Sequence, residues 1–151
     1  MRKIRLPENV YRIKNQACSI TICANDNINI LSNREFTRYC ISILKELAEK
    51  NDIELQAFCF MPDHIHFIIS VQGDKSIIDF IRKFKSITTV KSRQFGFKGS
   101  LYQKRFYDHF IREDEGLNET IMYVLNNPVR KGFVDKWEDF PYSEYCAEEQ
   151  S

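Results

Sequence analysis

The pattern of apolar and polar positions along the chain predicts strands alternating with helices. A β-branched, apolar run at 16–24 predicts a first strand, and the segments 53–60 and 64–71 predict two more. Pro62 separates these two, because proline cannot donate to a strand ladder, and we expect them to pair as a hairpin. Residues 101–112 alternate between apolar and polar side chains and predict a fourth strand.

Apolar side chains recur with helical spacing in three segments. Ser32, followed three residues later by Glu35, is typical of a capping box at a helix start. The apolar stripe after it predicts a helix of roughly four to five turns and consists of Phe36, Tyr39, Cys40, Ile43, Leu44 and Leu47. Residues 75–94 predict a second helix, and residues 115–127 a third helix that Pro128 should end.

The predicted order β-α-β-β-α-β-α is that of two β-α-β units joined by a hairpin, which is the split ferredoxin-like topology. We therefore predict an α+β fold with an antiparallel sheet, helices on one face, the other face available, and a C-terminal helix that carries Tyr123. With 151 residues and 43% hydrophobic residues, the chain should form a single domain. We expect its core at about 16–134, a basic N-terminal arm at 1–15, and an acidic, aromatic tail at 135–151 that is irregular and packs back on the domain.

Composition narrows the class of protein. No apolar run approaches the ~20 residues of a membrane span, and no signal-peptide core follows the basic N-terminus. We therefore expect a cytoplasmic protein without a membrane partner. The five cysteines are odd in number and none are spaced Cys-x-x-Cys, which favours buried, reduced thiols over disulfides or a cysteine zinc site.

Two of the three histidines, His64 and His66, occupy alternate positions of the predicted third strand. Their imidazoles should lie side by side on one face, close enough to share a metal ion, while Ile65 and Phe67 point into the core. Imidazole suits several metals, so the pair does not identify one. The alternative is that both rings are simply exposed to solvent.

The third predicted helix carries a tyrosine away from its apolar stripe. The stripe consists of Leu117, Ile121, Val124 and Leu125. At about 100° per residue, Tyr123 projects well away from it, and Asn127 lies one turn further along the same polar face. A phenol and an amide oxygen are thus expected together, away from the core. A surface tyrosine near a helix end is the alternative.

The run Met-Pro-Asp-His-Ile-His-Phe at 61–67, together with Tyr-Val-Leu-Asn-Asn-Pro-Val-Arg-Lys-Gly at 123–132, resembles the tyrosine transposases of the HUH superfamily. The closest likeness is to the REP-associated branch, relatives of the small single-strand insertion-sequence transposases. Residues 101–108 and 140–143 are also similar to that family, and the likeness extends from about 16 to 145.

This resemblance implies a bacterial, nucleoid-associated substrate, namely single-stranded DNA folded into a hairpin, and a divalent cation, Mg²⁺ or Mn²⁺. Carried over by motif, His64 and His66 are metal ligands and Tyr123 is the nucleophile. Asn127 takes the position of a third ligand, where mobile members usually carry Gln. A homodimer is compatible with the family, with the tyrosine serving its own subunit or its partner.

The expected reaction is DNA cleavage and strand transfer through a 5′-phosphotyrosine. A phenol with a pKa near 10 is a poor nucleophile at pH 7, and a bound Mg²⁺ or Mn²⁺ can act as a Lewis acid that draws charge from the scissile phosphate. One alternative is a catalytically inactive or domesticated nucleic-acid-binding module of the same fold. Another is an unrelated metal hydrolase, which would require more acidic or histidine ligands than the sequence offers.

Residues 80–107 provide candidate DNA contacts, because they contain eight basic and seven aromatic residues and no acidic one. Cations follow phosphates, and aromatic rings stack unpaired bases. The candidates are Lys83, Lys85, Lys91, Arg93, Lys104 and Arg105, joined by Arg130 and Lys131 beside the tyrosine. Solvated helix faces and core aromatics are the alternative. His109, on the same strand face as Tyr107, is either near the site or a structural or surface histidine.

Overall fold

The computed structural model of the chain describes residues 6–27 and 29–147. The first five residues of the predicted basic arm and the last four of the predicted acidic tail lie outside the described residues. The main elements are β1 (Ala17–Cys23), α1 (Arg34–Lys50), β2 (Ile53–Met61), β3 (His64–Val71), α2 (Ile77–Ser92), β4 (Tyr107–Phe110), α3 (Leu117–Leu125), α4 (Asn127–Arg130) and β5 (Ser143–Tyr145).

The described strands form one sheet in the order β4-β1-β3-β2-β5, and all neighbours are antiparallel. The β4-β1-β3-β2 part is what two β-α-β units joined by the β2–β3 hairpin produce. The predicted α+β, ferredoxin-like fold is therefore confirmed. Because β3 lies in the middle of the sheet, both of its edges are hydrogen-bonded and its side chains are firmly placed.

Helices α1 and α2 cover the first face of the sheet. Phe36 of α1 and Phe84 of α2 are fully buried in the same cluster as Ile65 and Phe67 of β3. The predicted capping box of α1 is wrong by one residue: the cap is Asn33, whose Oδ1 accepts a hydrogen bond from the Phe36 N–H at 3.1 Å.

The Ser32 hydroxyl instead donates to the Asn29 carbonyl at 2.6 Å.

The second face, which we call the site face, is partly covered as well. Ile121, Val124 and Leu125 of α3 are buried against apolar side chains of β2 and β3, namely Ala57, Cys59, Met61 and Ile68. The expectation that this whole face is available is therefore wrong over β2 and β3. Over β1 the face carries the half-buried side chains of Ser19, Thr21 and Cys23.

The fourth strand is shorter than the predicted 101–112 and spans only Tyr107–Phe110. Before it, a single bridge joins Ala24 to Tyr102, and Leu101, Tyr102 and Phe106 are buried in the core between sheet and helices. Tyr102 is held there by a 2.8 Å hydrogen bond between its hydroxyl and that of Thr88 on α2. The alternation of this segment thus reflects core packing more than strand pairing.

The tail after Gly132 is not irregular throughout, since β5 adds a fifth strand along the edge of β2. The Gln56 carbonyl, next to a register shift in β2, accepts hydrogen bonds from the Cys146 and Ala147 N–H groups at 2.8 and 2.9 Å. Lys45 of α1 adds an ion pair of 2.8 Å with Glu144. These contacts hold the tail against the sheet.

The described part of the predicted N-terminal arm also packs on the domain. Tyr11 is fully buried, and its hydroxyl donates to Asp108 Oδ2 at 2.7 Å. Lys14 forms an isolated bridge with Val71 at the end of β3. Residues 6–15 are therefore a packed segment rather than a free arm.

All five cysteines are free thiols. Burial raises the pKa of the Cys40 and Cys59 thiols to about 12, so both remain protonated and unreactive at neutral pH.

Among the described residues, no helix has the length and apolar character that crossing a membrane requires.

Candidate active site

The two histidines lie together on the site face at the start of β3. Because side chains alternate along a strand, His64 and His66 share that face, while Ile65 and Phe67 are fully buried on the other. The imidazole rings are nearly perpendicular, with centroids 4.7 Å apart. The structure therefore brings the two rings together as the strand pattern predicted.

Each imidazole has a hydrogen-bond partner at Nδ1. His64 Nδ1 lies 2.7 Å from Asp63 Oδ1, and His66 Nδ1 lies 2.8 Å from the Thr21 hydroxyl on the neighbouring strand. A carboxylate only accepts hydrogen bonds, so the Asp63 contact places a proton on His64 Nδ1. In neutral His64 the lone pair is then on Nε2, the atom that faces Asn127.

The electrostatic surroundings keep His66 neutral. Burial, and then the nearby His64 and Arg130, lower the pKa of His66 from 6.5 to about 3. At neutral pH its ring therefore carries no charge and has one nitrogen lone pair. Which nitrogen holds it depends on whether the Thr21 hydroxyl donates or accepts.

Tyr123 projects from α3 into solvent, with 66% of its surface exposed, whereas Ile121 and Leu125 on the same helix are buried. The predicted end of the helix at Pro128 is wrong. After a break at Asn126 the chain continues as the short helix α4, in which Pro128 occupies the first turn. Proline is tolerated there because an N–H in the first turn has no intrahelical acceptor.

Asn127 is buried, only 6% exposed, and does not share the exposed face of Tyr123. The break at Asn126 separates α4 from α3, so the one-turn spacing assumed for a continuous helix does not apply. Asn127 nevertheless lies at the histidines, where its Nδ2 donates to His64 Nε2 at 3.0 Å.

These side chains surround one open depression of about 470 Å³ on the site face. Its lining residues are His64, His66, Tyr123, Asn127, Arg130 and Lys131. The structure thus gathers the four predicted catalytic and metal-site residues and two of the predicted DNA contacts. Sequence reasoning did not find Asp63 and Thr21 as partners of the histidines. Asp63 is next to His64 in the chain, but Thr21 is distant, and only the strand register reveals it.

Arg130 makes two contacts with the tyrosine. Its guanidinium carbon lies 3.8 Å from the centre of the Tyr123 ring, and its Nη1 donates to the Tyr123 carbonyl at 2.7 Å. Lys131, in contrast, is an exposed side chain at the rim of the depression.

The other predicted DNA contacts lie on α2 and in the segment 93–105, away from the lining of the depression. Several are engaged in the fold. Lys85 Nζ donates to the carbonyls of Gln103 and Lys104 at 2.9 and 3.3 Å. Lys91 lies over the Tyr39 ring at 4.9 Å, and Arg93 donates to the Gly99 carbonyl at 2.7 Å.

Four of the candidates on this surface are exposed, namely Lys83, Arg93, Lys104 and Arg105. DNA contact by any of these six side chains stays a prediction.

His109 lies on β4, opposite Ser19, and does not line the depression. Its Nε2–H donates to the Glu115 carboxylate at 2.7 Å. Hydrogen bonds from the Arg112 N–H and then from His109 lower the pKa of Glu115 to about 2, so the acceptor is charged at neutral pH. This hydrogen bond connects β4 to the loop before α3, which supports a structural role for His109.

The donor set is compatible with a divalent cation. Among residues 6–27 and 29–147, no cluster of three or more His, Cys, Asp or Glu side chains could hold a metal, so the candidate set is two imidazoles and one amide. Rotating the Asn127 amide would exchange its nitrogen for its oxygen, 3.0 Å from His64 Nε2. Adjacent ligands about 2.1 Å from an octahedral cation are spaced about 3 Å apart.

Comparison with known proteins assigns the chain to a family. The sequence model of the family described as "Transposase IS200 like" matches residues 12–127, well over half of the chain. The chain belongs to this family. The resemblance to tyrosine transposases is thereby confirmed.

Two bacterial relatives carry the more specific name. The transposase is 31% identical over 115 residues to a Haemophilus influenzae protein provisionally named as a REP-associated tyrosine transposase, a match that covers 69% of this chain and 65% of that protein. It is 26% identical over 136 residues to the REP-associated tyrosine transposase of Escherichia coli, covering 89% and 79% of the two chains.

Solved structures agree with this assignment. The transposase matches a REP-associated tyrosine transposase solved with a REP hairpin with a TM-score of 0.73 and 25% identity, over 95% of this chain and 82% of that one. A protein of Deinococcus radiodurans, provisionally described as a transposase, matches with a TM-score of 0.56 and 19% identity over 83% and 97% of the chains, which supports the fold alone.

Proposed function

We propose that this transposase cleaves single-stranded DNA beside a hairpin and transfers the cleaved strand, with Tyr123 as nucleophile. The observation that carries the proposal is the convergence of Tyr123, His64, His66 and Asn127 around one open depression in a member of a transposase family. An exposed phenol next to two imidazoles and an amide has the chemistry that phosphoryl transfer to tyrosine requires.

The substrate class follows from the relatives and from the charge of the depression. The structural relative with a TM-score of 0.73 was solved with a REP hairpin, which supports hairpin DNA as the substrate here. Arg130 and Lys131 bring two positive charges to the depression, where the scissile phosphate must lie for Tyr123 to reach it. The exposed cations on α2 and in 93–105 are candidates for the hairpin stem.

The proposed cofactor is Mg²⁺ or Mn²⁺, held by His64, His66 and the Asn127 oxygen. When bound, it would act as a Lewis acid that stabilises charge on the phosphate oxygens in the transition state. The lone pair left on His64 Nε2 by the Asp63 hydrogen bond and the neutral state of His66 both suit cation binding. Two imidazoles favour Mn²⁺ over Mg²⁺, so Mn²⁺ should act at the lower concentration.

The chemical step itself belongs to Tyr123. Its Oη forms a bond to phosphorus, and its proton passes to solvent. The bond between phosphorus and the 3′ oxygen breaks, and that oxygen takes up a proton to become a free 3′-OH. The products are a 5′-phosphotyrosine and a 3′-OH end. In the reverse sense, a second 3′-OH attacks the phosphotyrosine and releases Tyr123, so strands are joined without an external energy source.

The test uses labelled hairpin oligonucleotides with a single-stranded flank, chosen by searching the DNA on either side of the gene for inverted repeats. With Mn²⁺ or Mg²⁺ the protein should form a denaturation-resistant adduct, and EDTA or Tyr123→Phe should abolish it. Tyr145→Phe is the matched control, because Tyr145 is an exposed tyrosine that contacts Asn118 outside the depression. An adduct that survives Tyr123→Phe would refute the assignment of the nucleophile.

Two outcomes decide between this proposal and a binding module without catalysis. A binding module retains hairpin binding in a gel-shift assay but gives no adduct with any flanking repeat.

The predicted homodimer is tested separately by light scattering, with and without hairpin DNA. Mixing Tyr123→Phe with His64→Ala protein then shows whether the tyrosine serves its own subunit, because only an arrangement in trans restores the adduct.

A further inference from the structure

We propose that Arg130 is a positioning residue that holds the Tyr123 ring in the orientation needed for attack, a role distinct from contacting phosphate. The inference rests on the proposed function of Tyr123 as nucleophile. An exposed, unrestrained side chain is poorly suited to a reaction that requires a fixed geometry. Tyr123 is 66% exposed, so packing alone does not fix its ring.

Arg130 supplies the missing restraint through two contacts of one guanidinium group. Its carbon lies 3.8 Å from the ring centre, within the range of a cation–π contact. Its Nη1 donates to the Tyr123 carbonyl at 2.7 Å. Within residues 6–27 and 29–147, the Tyr123 side chain has no other cationic, aromatic or hydrogen-bonding partner.

The break between α3 and α4 explains why the arginine binds there. Tyr123 lies in the last turn of α3, where carbonyl groups lack intrahelical donors. Arg130 follows on α4, and its side chain reaches back over the break to that carbonyl. The hydrogen bond fixes the guanidinium relative to the backbone of Tyr123, and the guanidinium face then fixes the ring.

A lysine at this position would keep the charge but lose the restraint. The guanidinium is planar and rigid, so one edge donates to the carbonyl while the face covers the ring. An ammonium is a compact point charge on a flexible stem and does not hold both contacts in one geometry. Arg130→Lys therefore separates positioning from phosphate attraction.

The size of the effect follows from the freedom that Tyr123 would gain. A tyrosine side chain on a helix has two accessible χ1 rotamers, because the third clashes with the preceding turn, so a released ring is in the productive one about half of the time. The rate of adduct formation should therefore fall at least ~2-fold, and a displacement of the attacking oxygen by ~1 Å would bring the loss towards ~100-fold.

The decisive experiment compares the wild type with Arg130→Lys and Arg130→Gln in single-turnover adduct formation at saturating hairpin DNA, with Mn²⁺. Arg38→Lys is the matched control, because Arg38 is an exposed arginine on α1 at the opposite face of the sheet. We expect Arg130→Lys to slow adduct formation at least ~2-fold while DNA affinity and its salt dependence stay at the wild-type values. A wild-type rate at saturation, or a loss confined to DNA affinity, would overturn the proposal.

A second measurement needs neither DNA nor metal, so it separates failure of this inference from failure of the proposed function. Tyrosine-selective isotope labelling allows the Tyr123 ring signal to be assigned by its loss in Tyr123→Phe. In the wild type the side-chain couplings should report one dominant χ1 rotamer, and in Arg130→Lys an average over several. Identical couplings in the two proteins would refute positioning even if adduct formation is observed.

Discussion

The hydrogen bond between Thr21 and His66 gives a sharp test of the proposed metal site. If His66 binds a cation through Nε2, its proton must be on Nδ1, and the Thr21 hydroxyl 2.8 Å away must accept it. Thr21→Val removes the acceptor but keeps the size and β-branching of the side chain, so β1 should be unchanged. We therefore expect a loss of metal affinity without a loss of fold.

The magnitude follows from the state of the imidazole N–H. A buried donor left without an acceptor costs about 1–3 kcal/mol, and Thr21 is half-buried, so the lower part of that range applies. A cost of about 1–2 kcal/mol weakens binding about 5- to 30-fold, since 1.4 kcal/mol is a factor of ten. Hydrogen-bond partners of metal-binding histidines typically have effects of about 10- to 100-fold.

The assay is a Mn²⁺ titration of the DNA-free protein, with free Mn²⁺ followed by electron paramagnetic resonance. Thr21→Ser should bind Mn²⁺ nearly as tightly as the wild type, because it keeps the hydroxyl. Ser19→Ala, on the same strand and the same face, is the matched control. Equal affinity of Thr21→Val and the wild type would refute the role of Thr21, and equally weak binding by the Val and Ser variants would refute the acceptor argument.

Three further predictions follow from the same region. His66 has a pKa of about 3 in the folded protein and about 6.5 in the unfolded chain, so between these values the unfolded chain binds the additional proton. The free energy of unfolding of the metal-free protein should therefore fall by up to about 1.4 kcal/mol per pH unit below pH 6.5. In urea unfolding with EDTA, the free energy of unfolding should fall less between pH 7 and pH 5 for His66→Gln than for the wild type. Equal losses in the two proteins would contradict the lowered pKa of His66. Asn127→Asp should tighten Mn²⁺ binding and Asn127→Ala should weaken it in calorimetry, and two unchanged affinities would exclude Asn127 as a ligand. Ile121→Ala should cost about 2–4 kcal/mol of unfolding free energy, because this side chain of α3 is 1% exposed, and a loss below about 1 kcal/mol in urea would contradict its packing.

The features that were predicted correctly depend on local periodicity. The two-residue period of a strand is enough to place His64 and His66 on one face, and the helical period is enough to point Tyr123 away from Ile121 and Leu125. The order of strands and helices then leaves few topologies, of which the observed sheet is one.

The features that were missed depend on contacts between distant residues. Thr21 meets His66 only through the register of β1 and β3, and Tyr102 of the predicted fourth strand is held to α2 by the hydrogen bond between its hydroxyl and that of Thr88. The packing of α3 on the site face could have been predicted from the sequence of β2. Residues 57–61 are apolar without alternation, which indicates a strand buried on both faces.

A helix boundary was missed for a related reason. Pro128 ends a helix when it falls in the interior, but it starts one when it falls in the first turn, and the sequence alone does not place the break at Asn126.

The pairing of β5 with β2 has a consequence for biosynthesis. The ribosome completes β2 roughly 80 residues before it reaches β5, which corresponds to about 4–16 s at typical elongation rates of 5–20 residues per second. During that interval the nascent chain has an unpaired strand edge next to an apolar segment, the kind of surface on which neighbouring chains associate. The order of synthesis therefore leaves this edge of the sheet open until the last strand emerges.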